Sequence, residues 1–288
     1  MRRLLLAGAM LAALLVPASS AMAAPTGEFV NFAQCPTENP SVTACLYTEN
    51  TSGYVTTGAK TVPIKNKVIL QGGFGNSNPE TGISQFYGAK NGVTLSKTPQ
   101  PVPGGLTGLV APSWWPQILR DLFNETINNG FTGVQATVEL AGPASAIKVN
   151  PGALASGTGT AISMPVKIKL DNPFLGSNCY LGSNTNPIQW KFTTGTTSPP
   201  PPNTPITGSV GAVSEAAGGS IVRFAGQRLV DNSFATPGAN GCGGILFSWA
   251  VDPFVNSTVG VPAPAGKNTA VLEGNSELAD PIAVKASE

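Results

Sequence analysis

The chain has 288 residues, enough for one large domain or two small ones, and only 11% of them are charged. Its 16 Lys+Arg nearly balance 15 Asp+Glu, with no local basic cluster, which excludes a general field for nucleic acid or anionic lipid. It contains no histidine, which removes Ser-His-Asp and Cys-His catalysis, His-ligated zinc and the usual general base near neutral pH.

Residues 1–23 have the plan of a secretory signal peptide. Arg2 and Arg3 precede an apolar run from Leu4 to Val16, and a small-residue stretch ends in Ala21-Met22-Ala23. The run is shorter than the roughly 20 apolar residues of a bilayer span. Cleavage near Ala23 is expected, followed by an exported chain with no transmembrane segment. The four cysteines are Cys35, Cys45, Cys179 and Cys242. An even count in an exported chain predicts two disulfides, and three pairings are open. The stretch "CPTENPSVTAC" holds two prolines and an Asn that suit a compact turn, which favours Cys35–Cys45 and leaves Cys179–Cys242.

Period-two alternation then dominates. "KVIL" near Val68 reads as a strand, as does "VQATVEL", with Val134, Ala136, Val138 and Leu140 on one face. In "PVKIKLD", Val166, Ile168 and Leu170 oppose Lys167 and Lys169, and "IQWKF" points Ile188, Trp190 and Phe192 inward. "SIVRFAG" and "ILFSWAV" add further strand candidates. Half-wet strands punctuated by Gly, Pro and Asn predict a mainly β fold, an antiparallel β-sandwich-like domain. One segment breaks the pattern. "SWWPQILRDLFNETINNG" spaces Trp115, Ile118, Leu119, Leu122, Phe123 and Ile127 for an amphipathic helix over about 113–129. Ser113 is the expected N-cap, and the apolar stripe is expected to pack on a sheet or close one end of the sandwich.

Pro199 to Pro202 predict a straight polyproline II spacer about 12 Å long. The spacer divides a β-rich region, 24–198, from a second one, 203–288, docked to it or part of the same domain. The polar tail after about Gly266 reads as a loosely held last strand.

The residues support little chemistry. Ser145-Ala-Ile-Lys148 matches a Ser-x-x-Lys pair, but "AIKVNPG" reads as extended, which parts the two side chains. Asp121 and Glu125, four apart on the helix, are the one carboxylate pair available to a glycan-directed hydrolase, and as a pair on a solvated helix face they need no such role. The glycine-rich "QGGFGNSN" and "GANGCGG" offer backbone amides to an anion, or simply turns and bulges. No cofactor motif and no metal-ligand set is present. Trp114, adjacent to Trp115 and off its stripe, is the candidate binding platform for a sugar, lipid headgroup or protein, and partial burial against a flanking loop is the plainer reading.

"CPTENPSVTACLYT", "VPIKNKVILQGGF", "DNPFLGSNCYLGSNTNPI" and "TTGTTSPPPPN" together resemble a family of uncharacterised secreted proteins from actinobacteria, over about residues 29–244. The resemblance implies an exported bacterial protein and carries over no activity and no catalytic positions. The expectation is a secreted, non-catalytic β protein, extracellular or cell-envelope-associated, with an envelope glycan or protein as partner and no nucleic acid. The alternative is the carboxylate-dependent extracellular hydrolase.

Overall fold

A computed structural model describes residues 23–108, 113–127 and 132–288. All of the expected signal peptide but Ala23 lies outside these residues, as do residues 128–129 of the expected helix. The strands in chain order are β1 (Ala44–Thr57), β2 (Lys60–Pro63), β3 (Val68–Gly75), β4 (Ser84–Gly88) and β5 (Gln100–Val102). Helix α1 (Gln117–Ile127) precedes β6 (Val134–Leu140) and β7 (Lys148–Val149), and α2 (Pro151–Ser156) leads into β8 (Ile162–Asp171). Then come β9 (Tyr180–Leu181), β10 (Ile188–Phe192), β11 (Ala212–Ala216), β12 (Ile221–Asp231) and β13 (Ala239–Asn240). The chain ends with α3 (Gly244–Val259), β14 (Thr269–Ala279) and α4 (Pro281–Ala286).

The fold is mainly β, antiparallel and sandwich-like. One sheet runs β11-β12-β14-β1-β3-β4-β7-β8-β6-β5, and β10 pairs with the other edge of β8. Just beyond β10, Thr193 and Val230 of β12 exchange backbone hydrogen bonds of 3.0 and 2.9 Å. The sheet therefore returns on itself around a shared core. Alternation supplies that core as read from the sequence. Every second residue of β8 from Ile162 to Leu170 is buried, as are Ile188, Trp190 and Phe192 of β10. Val134 and Ala136 of β6 are buried, while Val138 and Leu140 are only partly so.

Both expected disulfides form. Cys35–Cys45 fastens the N-terminal turn to β1 beside a small second cluster that includes Phe32, Ile221 and Val284. Cys179–Cys242 ties the chain before β9 to the approach of α3.

Four expectations need correcting. The tail after Gly266 is β14, which lies between β1 and β12 and pairs with both along most of its length. Its one buried polar side chain, Ser276, finds partners there, which is what permits its burial. Thr48 Oγ1 donates to Ser276 Oγ (3.0 Å), and Ser276 Oγ donates to Gln227 Oε1 (2.7 Å), all three residues being buried. The four prolines do not form a straight spacer. They cap a reversal whose two sides bond each other, Thr197 N to Ile206 O at 2.9 Å and Gly208 N to Gly195 O at 2.7 Å, and strands on both sides of them belong to the one sheet. "ILFSWAV" is not a strand but the first half of α3. Finally, α1 starts at Gln117, with Pro116 O rather than Ser113 at its N-terminal turn, and its stripe does not pack as expected. Ile118, Leu119 and Leu122 are exposed, and Trp115 packs edge-on against Phe123 at 5.6 Å.

Candidate functional site

Helix α3 begins behind Gly243, whose φ of +78° is a left-handed turn that glycine adopts without strain, and ends at Gly260 (φ +77°), whose N–H bonds Asn256 O. Its only charged residue, Asp252, turns back to accept from the amides of Gly241 (3.3 Å) and Cys242 (2.8 Å). The anion that "GANGCGG" cradles is thus supplied by the chain itself. Asn256 Oδ1 accepts from Ala239 N at 2.7 Å, and Val259 O from Ala59 N at 2.7 Å. These polar bonds, with the Cys179–Cys242 clasp, hold α3 against the β body.

Its apolar residues are divided between two surroundings. Phe254, Val255, Thr258 and Val259 wall an apolar chamber of about 80 Å³, whose other walls come from β1, β2, β5, β6 and β8, including Val55, Val62, Ala136 and Ile168. Only Val255 of α3 is fully buried. Toward solvent the helix presents Ile245 (99% exposed), Leu246, Phe247 and Trp249 (79%). Trp249 Nε1 donates to Leu246 O at 3.2 Å, so even the indole's polar atom is satisfied within the helix. A surface helix ordinarily has one polar face, and one that is apolar all round ordinarily lies buried. Here the outer face has no cover among the described residues.

The chamber's polar lining is confined to Thr57, Lys60, Gln100 and Thr258. Gln100 is fully engaged: Oε1 accepts from Lys65 N (2.8 Å) and Asn66 N (2.9 Å), and Nε2 donates to Asn66 O (2.7 Å). Thr57 Oγ1 is buried and has no partner. A smaller void of about 30 Å³ shares Val55, Ile64 and Val138 with the chamber's lining and reaches Trp190, whose buried Nε1 also lacks a partner.

The residues singled out from sequence fall elsewhere. Trp114 stands 80% exposed, edge-on to Trp115 at 6.1 Å, which fits a platform. Asp121 and Glu125 are exposed on α1, and Asp121 Oδ1 accepts from Gln117 Nε2 at 2.8 Å. Lys148 Nζ donates to the backbone oxygen of Ser145 (3.2 Å), not to its hydroxyl, because Ala144–Ala146 form a tight turn. "QGGFGNSN" runs into β3, where a Cβ on Gly75 would lie 1.9 Å from Ser41 O; glycine there allows close backbone approach. Among the described residues no group of three or more His, Cys, Asp or Glu is placed to hold a metal, and no helix is long and apolar enough to cross a membrane.

Sequence reasoning missed α3 and the chamber. The helical signal was present in Val251, Val255 and Val259 at i, i+4 spacing, bracketed by Gly243 and Gly260. No protein-family model, curated protein or solved structure matches the chain.

Proposed function

We propose that this is an exported, non-catalytic β protein that attaches to the apolar phase of the cell envelope through α3, with α1 and Trp114 as a second point of contact. One observation carries the reading: α3 is apolar on its outer side as well as toward the core, and that outer side is bare among the described residues. Exposed apolar patches of this kind mark interaction surfaces. The side chains project from a helix, carry no charge of either sign and retain no unmet hydrogen bond, which suits a fluid hydrocarbon phase better than a polar protein rim. Immersing Ile245, Leu246, Phe247 and Trp249 supplies about 6 kcal/mol at roughly 1.5 kcal/mol each. Export is supported by the leader pattern and by two disulfides, which fit an oxidising compartment.

Flotation with neutral phosphatidylcholine vesicles tests the reading. The mature disulfide-bonded chain should float with the vesicles regardless of salt, and the Leu246→Ser/Trp249→Ser variant should stay in solution with its fold intact. Equal flotation of both, or concentration-dependent self-association in place of flotation, would reject it. No observation favours the hydrolase reading over this one, since Asp121 and Glu125 lie exposed on a helix surface.

A further inference from the structure

We propose that the chamber beneath α3 binds the tail of a single-chain amphiphile whose carboxylate head sits at Lys60. This site is separate from the outer face of α3 and stands or falls without it. Lys60 and Thr57 are cross-strand partners where β1 turns into β2, and both line the chamber. Thr57 is 5% exposed, and its hydroxyl is a buried donor with no partner. Lys60 is half-buried, and its ammonium forms no ion pair among the described residues, which include every Asp and Glu of the chain. A cation without an ion pair on a lining that is mostly apolar, with no acceptor left free by Gln100, selects an anionic head. Phe254, which is about half exposed, also lines the chamber.

Size sets the tail. A water needs about 10–15 Å³ of such volume, so about 80 Å³ takes on the order of six methylene-sized groups. A mostly aliphatic lining of this kind accepts hydrocarbon.

Equilibrium dialysis of the mature protein against straight-chain carboxylates from butanoate to decanoate tests the site. Affinity should rise about fourfold per methylene and then level off near hexanoate to octanoate, where the chamber is full. Lys60→Met, which keeps the aliphatic stem, should weaken octanoate about fivefold and leave octanol unchanged. Ala136→Leu should abolish octanoate binding while flotation on vesicles stays as in the parent. Should that variant fail to fold, Val134→Ala decides instead, by moving the plateau to a longer chain. Affinity that climbs without a plateau, a Lys60→Met variant that binds octanoate like the parent, or a plateau unmoved by Val134→Ala would overturn the proposal.

Discussion

Strand β14 and helix α3 invert what their compositions suggest. The strand, "TAVLEGNSELA", carries two glutamates, an asparagine and a serine, yet it lies between two neighbours inside the sheet. The helix, "GILFSWAVDPFVNSTV", is far more apolar, yet Val255 is its only fully buried residue. The difference teaches that burial follows the supply of partners as much as hydropathy. Polar groups on β14 meet donors and acceptors on both sides, and Glu273 and Glu277 lie 3.2 and 3.0 Å from Arg228 and Arg223. The outer face of α3 meets no cover among the described residues.

The contrast can be broken most forcefully at Gly274. A Cβ there would lie 1.8 Å from Glu49 O and 2.8 Å from Asn50 Cα, both backbone atoms of β1. Gly274→Ala should cost about 4 kcal/mol or more in denaturant unfolding, where outer-face changes such as Trp249→Ser should stay within about 0.5 kcal/mol. A mild Gly274→Ala would mean that β14 is not held between its neighbours.

The buried hydroxyl chain sharpens the same point at smaller scale. Thr48→Val removes the donor to Ser276 and should cost about 1–2 kcal/mol, and it should couple to Ser276→Ala in a double-mutant cycle. Strictly additive effects would place the two hydroxyls apart.

Smallest is an alkaline signature of Tyr47 on β1. Burial, then the nearby Glu49 carboxylate, pushes its phenol up from 10.0 to about 12. Because the folded value is the higher one, the stabilisation is complete below pH 10 and is lost as pH rises toward about 12. Spectrophotometric titration should show the Tyr47 phenol resisting ionisation to that pH, beside Tyr180, which burial also pushes up, and Tyr47→Phe should remove the Tyr47 step. A parent whose phenols all ionise near pH 10 would place Tyr47 in water.

Much of the β body was legible because a half-buried strand writes its two faces in alternate residues, as β8 and β10 do. The cysteines were legible because a short proline-bearing loop favours its own closure. β14 was not, since its fitness for the interior depends on Thr48, Gln227 and two arginines far away in the chain. α3 was misread because "ILFSWAV" is a short apolar run, which periodicity alone cannot assign to strand or helix. The stripe of α1 was seen, but its pattern does not say what receives it. The chamber draws on residues from Val55 to Val259, and no local window contains it. Trp114 is exposed, where the high average burial of tryptophan favoured partial cover by a loop, while Lys60 carried no local mark at all.

Quenching of Trp249 fluorescence by brominated phosphatidylcholine tests the central claim most directly, in a variant with Trp114, Trp115 and Trp190 replaced by Phe. Lipid brominated in the upper acyl chain should quench the emission strongly and shift it to the blue, and aqueous iodide should lose access once vesicles are added. Emission that stays red-shifted and open to iodide with vesicles present would contradict the account.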